Sequence, residues 1–178
     1  RMENQGARNR SEEMYALLLD IKEGRAPLSS KPLDLRGVSF AGRDLSGMDL
    51  STVDLSGADL NGADLSNAKL FKANLSRAAL LNANLRGAEL SGADLTEAIL
   101  EEADAGNAGL GMACLKRARL FRCNLSGATL SLADLEGADV RNACLKNSRI
   151  REARLMNADF TGADLRGADL AMSRLDGA

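Results

Sequence analysis

Apolar residues recur at every fifth position along most of this chain. From residue 35 to residue 175 they occupy 29 consecutive positions in one phase, most of them Leu, and only Ala105 falls outside the large apolar class. Two residues before each, from Ala58 to Ala168, the residue is Ala at 21 of 23 positions. The phase never slips, so the pattern predicts one repeating architecture.

A five-residue period fits neither a regular helix nor a flat strand. In a helix, residues five apart are rotated by about 140°, and in a strand an odd spacing places alternate side chains on opposite faces. The pattern is satisfied if about three residues run extended and the next two form a corner, because Ala and Leu then point inward together. Stacked coils can pair their backbone groups, so we predict an all-β solenoid.

Polar residues follow the same register. Asp or Asn lies between the Ala and Leu positions in 16 of 29 repeats, and Ser-Gly pairs such as Ser46-Gly47 and Ser56-Gly57 occupy the predicted corners. These residue types favour turns because their side chains bond to nearby backbone, or because Gly tolerates positive φ.

Segments such as Ala58-Asp59-Leu60-Asn61-Gly62 and Ala163-Asp164-Leu165-Arg166-Gly167 resemble the pentapeptide-repeat family, whose pattern is A(D/N)LxX. The resemblance covers roughly residues 33–178. It implies a right-handed quadrilateral β-helix with four repeats in each coil. On that basis the chain would form about seven coils, a rod of roughly 35 Å at about 4.8 Å per coil.

Residues 1–32 form a different region, which we expect to hold a tail, a capping helix and a linker. An amphipathic helix is predicted at residues 11–23, with Ser11 as its N-cap, Gly24 at its end and a linker between Pro27 and Pro32. Its apolar stripe has i, i+3, i+4, i+7 spacing and consists of Met14, Leu17, Leu18 and Ile21. We expect this helix to cover the open edge of the first coil, with a partner-binding helix as the alternative.

The repeats continue to Ala178 without a second helix. Two alternatives follow for this end. Either the natural chain is longer, or a homodimer closes end to end through the last coil, by a two-fold contact.

Composition limits the class of function. The chain has no His, 3% aromatic residues and a net charge of −2, and it has no apolar run long enough to span a membrane. Cys123 is predicted to point inward, with Cys114 and Cys144 outward on opposite faces, so no disulfide or metal site is expected. Free thiols favour a cytoplasmic protein.

No residue pattern indicates catalysis. The chain contains no nucleophile–base arrangement and no phosphate-binding loop, and its Asp residues are expected on flat solvated faces rather than in a cleft. We therefore predict a protein that is not an enzyme and uses no cofactor.

Charge divides the predicted rod. Residues 35–112 carry 6 basic and 11 acidic residues, a balance of −5, whereas residues 115–155 carry 9 basic and 4 acidic residues, a balance of +5. Lys116, Arg117, Arg119 and Arg122 are expected around one corner with Arg141 stacked one coil on. The next corner is expected to be flanked by three further cations, Arg149, Arg151 and Arg154.

Exposed apolar residues fall in the same coils. Met112 and Leu132 are twenty apart and are expected to stack, and Phe121 also occupies an outward position. With the cations they form a candidate partner-binding surface; the alternative is an ordinary solvated surface. Between these regions, Gly-rich residues 105–111 predict a bend, a close-approach site or a weak coil.

The family resemblance implies interaction proteins without enzymatic activity. Some members resemble B-form DNA in size and acidity, bind bacterial type II topoisomerases and protect them from quinolones. This chain differs, since its acidity is confined to the early coils. We predict a rigid scaffold for protein–protein contact, partner unknown, with DNA mimicry as the alternative. Nucleic-acid binding through the basic residues is weaker still, because aromatic stacking groups are few.

Overall fold

The computed structural model describes residues 2–27 and 32–178, apart from the side chains of Met2 and Glu3. In this part of the chain a single helix, α1 (Met2–Lys22), precedes a β-helix built from the repeats. Each repeat contributes one residue to parallel β-bridges, which join it to the residue twenty positions later. The predicted linker lies mostly on residues 28–31, outside the described residues.

The bridges form four ladders that run along the β-helix. We number them 1 to 4 by their first residues, Asp34, Ser39, Asp44 and Asp49, and call each twenty-residue turn of the chain a coil. The residue that follows each bridged residue is buried from Leu35 to Leu155, and the residue before it is buried from Ala58 to Ala158. The five-residue period therefore fills a continuous apolar core, as predicted.

One repeat illustrates how the backbone is bonded. In residues 64–68, the N–H groups of Asp64 and Leu65 donate to neighbouring coils, at 2.9 Å to Arg43 O and 2.7 Å to Asn84 O. The N–H of Asn67 donates to Arg86 O at 2.9 Å, and that of Ala68 closes the corner on Leu65 O at 3.1 Å. Four of the five N–H groups thus bind backbone carbonyls, which leaves only the N–H of Ser66.

The remaining N–H explains the Asp and Asn residues of the pattern. Ser66 N–H donates to Asp64 Oδ1 at 2.9 Å. The same bond, from the first corner residue to the side chain two residues before it, forms at all sixteen Asp and Asn positions. The consensus carboxylate or amide satisfies the one backbone donor that coil stacking cannot reach.

The second corner residue has a positive φ in every repeat from residue 37 to residue 177. Gly occupies many of these positions, as the Ser-Gly pairs predict, but seventeen are other residue types, including Met112 at 57° and Leu132 at 62°. A left-handed conformation costs a non-Gly residue about 1–2 kcal/mol. The stacked coils therefore impose this conformation on residues that do not favour it.

The helix prediction was right in type and wrong in extent. α1 begins at Met2, so Ser11 lies inside it and is not its N-cap. The periodicity missed the first turns because residues 2–9 are polar and carry no apolar stripe. The predicted end is confirmed, since Gly24 has a φ of 73° and its N–H donates to Ile21 O at 3.1 Å.

Helix α1 covers the first coil. Leu18 is buried in the core, and Met14, Tyr15 and Leu19 pack against it. Polar side chains of α1 bind the open backbone edge beside them: Ser39 N–H donates to Ser11 Oγ at 2.9 Å, and Lys22 Nζ donates to Ser46 O at 2.7 Å. Through these contacts α1 lies over the open edge of the first coil.

Further contacts show that the helix substitutes for a preceding coil. Arg10 donates to Asp34 O at 2.9 Å and to Arg36 O at 2.8 Å. One coil later, the equivalent carbonyls of Asp54 and Ser56 accept N–H groups of the first coil. Side chains of α1 thus occupy the positions that backbone donors would occupy in a longer solenoid, which satisfies the exposed edge.

The Gly-rich segment, residues 105–111, does not bend the β-helix. Its backbone pairing continues, with Ala105 N–H on Asn124 O at 2.7 Å and Gly109 N–H on Ala88 O at 2.9 Å. The close approach at this level is made by a side chain, since a Cβ on Gly106 would lie 2.6 Å from Arg86 Nη1. Gly106 therefore leaves room for the Arg86 guanidinium.

Candidate interaction surface

The predicted basic residues spread over one strand segment and both of its corners. Lys116 and Arg117 form one corner, Arg119 lies on ladder 2, and Arg122 lies at the following corner. The prediction of one shared corner was wrong, because successive corners are five residues apart. Arg141 does lie one coil beyond Phe121, as predicted, and Arg122 N–H donates to Arg141 O at 3.1 Å.

The second basic group surrounds the corner at residues 151–152. Arg149 lies on ladder 4, Arg151 at the corner itself and Arg154 on ladder 1. This agrees with the predicted arrangement of these three residues around a corner.

Carboxylates neutralise most of these cations. Arg117 lies 3.0 Å from Glu97, Arg151 lies 3.3 Å from Asp169, and Arg154 lies 3.4 Å from Asp134. The other pairs are Lys116–Asp134, Arg119–Glu101, Arg141–Asp139 and Lys146–Asp164. Two arginines of the set, Arg122 and Arg149, make no ion pair within residues 2–27 and 32–178.

Two guanidinium groups lie close to the Phe121 ring. Those of Arg122 and Arg141 stand 5.2 Å and 5.3 Å from the ring centroid. Arg141 is fixed by two hydrogen bonds to Asp139, of 2.8 Å and 2.7 Å, whereas Arg122 has no carboxylate partner among the described residues. We call Phe121, Arg122 and Arg141 the Phe121 cluster; it holds one cation free beside an aromatic ring.

Electrostatics favour the charged forms of Arg141 and of its partner Asp139. The hydrogen bond from Arg141 holds the pKa of Asp139 below its ordinary value, although partial desolvation opposes the shift. The same bond raises the pKa of Arg141.

Elsewhere, burial raises the pKa of the Cys123 thiol to about 12, so this thiol is not a ready nucleophile.

Met112 and Leu132 stack on adjacent coils, as predicted. Met112 N–H donates to Ser131 O at 2.9 Å, and the two side chains are 65% and 55% exposed. Both therefore combine an exposed apolar side chain with a left-handed backbone. Neither feature favours folding, which makes this pair a candidate for contact with another molecule.

The cysteines lie as the repeat register predicts. Cys123 is buried, Cys114 and Cys144 are partly exposed on ladders 1 and 3, and all three are free. Within the described ranges, no group of three or more His, Cys, Asp or Glu residues is placed to hold a metal ion. No described helix is long and apolar enough to cross a membrane.

The last coil presents its core residues to solvent. Phe160, Leu165, Leu170, Leu175 and Ala178 line a hollow of about 340 Å³. In earlier coils, residues at the Leu positions are covered by the next coil.

Sequence reasoning missed one polar network. Asp104 accepts hydrogen bonds from Arg86 at 3.1 Å, from Asn124 Nδ2 at 2.9 Å and from Gly106 N–H at 3.1 Å. Desolvation raises the pKa of Asp104, but these bonds outweigh it and the net shift is downward. The twenty-residue register would have placed Asp104 next to Asn124, but it does not give the direction of the Arg86 side chain.

Comparisons with known proteins agree with this architecture. A family model for pentapeptide repeats matches eight copies, at residues 34–70, 73–108, 113–151 and 146–178. No curated protein sequence matches the chain.

A search of solved structures found several that are similar to this chain. HetL, a pentapeptide repeat protein involved in heterocyst differentiation regulation in the cyanobacterium Nostoc sp. strain PCC 7120, is 32% identical, with a TM-score of 0.44 over 86% of this chain and 83% of HetL. Rfr23 from the cyanobacterium Cyanothece 51142 is 26% identical, with a TM-score of 0.33 over 75% and 91%. QnrB1, a plasmid-mediated fluoroquinolone resistance protein, is 20% identical, with a TM-score of 0.49 over 79% and 80%. Because the family model matches most of its length, the chain belongs to the pentapeptide repeat family.

Proposed function

We propose that this protein is a rigid, non-enzymatic scaffold for protein–protein contact, and that the Phe121 cluster binds its partner. One observation carries the proposal: an aromatic ring stands beside a guanidinium that has no ion pair among the described residues, on coils that backbone hydrogen bonds join together. A surface built this way binds without prior ordering, which lowers the entropic cost of association.

The chemistry of the cluster defines the partner surface. Arg122 suits a carboxylate, which a guanidinium binds through two parallel hydrogen bonds. Phe121 suits an apolar side chain placed next to that carboxylate, and buried aromatic and Arg residues often dominate binding energy. We therefore expect a folded protein that presents an acidic residue beside an aliphatic one.

The architecture that we propose for the scaffold is a right-handed quadrilateral β-helix of about seven coils. The twenty-residue spacing of the bridges supports it, because twenty residues contain four repeats. A four-sided rod would give the partner a flat surface on each side.

Mimicry of DNA is the alternative, and the charge distribution favours it less. The acidic run on each ladder is interrupted within the first three coils, by Asn74 on ladder 1, Ala79 on ladder 2, Asn84 on ladder 3 and Lys69 on ladder 4. A continuous negative face is what a DNA mimic requires. The predicted homodimer through the last coil, and a cytoplasmic location, stay predictions.

A capture experiment with a matched pair of variants tests the scaffold. Arg122 and Arg77 are both exposed, both lie at second corner positions with φ values of 55° and 56°, and only Arg122 packs on an aromatic ring. Arg122→Asn should abolish enrichment of a specific protein from a source lysate, whereas Arg77→Asn should retain it. Equal loss in both variants would contradict a role for the Phe121 cluster, and capture of a topoisomerase by all variants would favour the alternative.

A further inference from the structure

Ladder 4 carries an alternating series of charges. Its outward residues, in order, are Asp49, Lys69, Glu89, Gly109, Thr129, Arg149 and Asp169. From residue 69 to residue 169 the charges run positive, negative, neutral, neutral, positive, negative. In the opposite direction every sign is reversed. The section is therefore complementary to its own reverse.

Three charged residues of this ladder form no ion pair among residues 2–27 and 32–178. Lys69, Glu89 and Arg149 are exposed and make no ion pair within the part of the chain that the structure describes. Asp169 is bound to Arg151 at 3.3 Å through Oδ2, and its Oδ1 accepts the Ala171 N–H at 3.0 Å. Charges that are left free on a flat face are available to a second molecule.

We propose that the ladder 4 side binds the same side of a second copy of this chain, with the two rods antiparallel. The two-fold axis would lie between the levels of Gly109 and Thr129. It would place Glu89 opposite Arg149 of the second copy and Lys69 opposite Asp169 of the second copy. Each contact occurs twice, as an isologous interface requires.

The corner that follows ladder 4 fits the same axis. The two-fold axis would lie in the interface plane, perpendicular to the rods. It would place this corner opposite the same corner of the second copy, with the coils in reverse order. Met112 then meets Leu132 of the second copy, and Leu132 meets Met112. The two exposed apolar residues would form a four-residue cluster at the centre of the interface, which accounts for their exposure in the single chain.

The corner that precedes ladder 4 is compatible as well. Asn107 would lie opposite Gly127 of the second copy and Asn147 opposite Gly87, so larger side chains meet glycines. Arg86 and Lys146 would also lie at matching levels, but Asp104 and Asp164 hold these side chains, at 3.1 Å and 3.6 Å. Both carboxylates belong to ladder 3, on the neighbouring side of the β-helix.

The size of the surface sets the expected strength. Seven levels at about 4.8 Å give a face about 30 Å long, which places the interface at the small end of specific interfaces. With exposed ion pairs at its ends, the dimer should be weak and should weaken further as salt increases. This proposal does not depend on the Phe121 cluster, which lies on a different corner.

Sedimentation equilibrium of the full chain, with charge-swap variants, tests the proposal. We expect a monomer–dimer equilibrium whose dissociation constant rises at least about tenfold in Glu89→Arg and in Arg149→Glu. The double variant Glu89→Arg/Arg149→Glu restores opposite signs across the interface and should regain most of the affinity. Thermal unfolding of each variant checks that the fold is retained.

Two control variants distinguish this dimer from an end-to-end dimer and from a general effect of charge. Glu102→Arg makes the same charge change at an exposed residue of a different corner and should leave the dissociation constant unchanged. Leu175→Ser alters the hollow of the last coil and should also leave it unchanged. A monomer at all concentrations, a double variant no better than the single ones, or loss of the dimer in Leu175→Ser would overturn the proposal.

Discussion

Ladders 3 and 4 lie on neighbouring sides of one β-helix and use their outward residues differently. On ladder 3, six of the seven outward residues are Asp or Asn, and each accepts the free N–H of its corner; Cys144 is the exception. On ladder 4, only Asp49 and Asp169 do so. The residues between them, together with Asp169, are those that we assign to an interface.

This contrast gives a physical meaning to departures from the repeat. An Asp or Asn at this position satisfies a backbone donor and therefore contributes to the stability of its corner. A Lys, Glu or Arg at the same position leaves that donor to solvent and directs its charge outward. The consensus residues stabilise the rod, and positions that depart from the consensus show where its surface is available for binding.

Removal of Asp104 should have the largest effect on stability. Asp104→Ala leaves the Gly106 N–H, Arg86 and Asn124 without their acceptor, and we expect the free energy of unfolding to fall by about 2–3 kcal/mol. Glu89→Ala on ladder 4 removes no hydrogen bond of the single chain and should change it by less than about 0.5 kcal/mol. Urea denaturation of both variants measures the contrast.

Asp104→Asn is the control, because it keeps an oxygen for the Gly106 N–H and loses only the charge. Its stability should lie between that of Asp104→Ala and the wild type. If Glu89→Ala proves as destabilising as Asp104→Ala, the division between the two ladders is wrong.

Acid should weaken the corners of ladder 3. Hydrogen bonds from Ser46 lower the pKa of Asp44, and those from Arg166 lower the pKa of Asp164. A lowered folded-state pKa contributes stability that is fully present above the unfolded value of about 3.9 and is lost as pH falls below it. Unfolding midpoints should therefore hold from pH 7 to about pH 5 and then drop towards pH 2.

The acid effect can be assigned to particular carboxylates by substitution. Asp44→Asn and Asp164→Asn each keep the acceptor but no longer titrate, so each should reduce the drop between pH 5 and pH 2. A pH profile identical to that of the wild type in both variants would locate the acid sensitivity elsewhere.

Much of this fold could be predicted from the sequence, because the repeat couples local pattern to burial. The Leu and Ala positions, the corners and the stacked pair Met112 and Leu132 all follow from a five-residue register. The start of α1 could not be predicted, since residues 2–9 have no apolar periodicity, and neither could the role of Ser11 as an acceptor for another element.

The candidate surface was only partly predictable, for a related reason. The register gives the level and side of each residue, but ion pairs depend on rotamers and on neighbours one coil away. Arg117 and Arg122 each follow a Glu by twenty residues, yet among the described residues only Arg117 forms the ion pair, with Glu97 at 3.0 Å. The arginines without an ion pair could be identified only from the positions of the neighbouring side chains in the structure.

A variant of Leu132 tests whether the residues of ladder 4 and of the following corner favour binding at the expense of stability. Leu132→Asn places a residue that tolerates positive φ at a strained, exposed position, so the free energy of unfolding should stay the same or rise by up to about 1 kcal/mol. The same variant should weaken the proposed dimer, because its central apolar contact is lost. Urea denaturation and sedimentation of one preparation measure both quantities; a large loss of stability would assign Leu132 to the fold instead.

Substitution of Ser173 should have the smallest effect on the free energy of unfolding. Ser173 occupies the Ala position of its repeat, whereas the earlier stability predictions concern the Asp position. In every other corner from residue 35 to residue 178, an N–H closes the turn directly on the Leu-position carbonyl, but at Ile150–Ala153 the Ser173 hydroxyl intervenes. Ala153 N–H donates to Ser173 Oγ at 3.1 Å, and that hydroxyl donates to Ile150 O. Ser173→Ala should let the direct bond form and change the free energy of unfolding by less than about 0.5 kcal/mol, because one backbone bond replaces the hydroxyl bridge.

Hydrogen exchange at the Ala153 amide measures this change where it occurs. Slower exchange in Ser173→Ala would indicate that the direct bond has formed. Faster exchange, with a loss of more than about 1 kcal/mol, would show instead that the hydroxyl holds this corner together. A departure from the repeat would then stabilise the rod, and not every departure would mark a surface for binding.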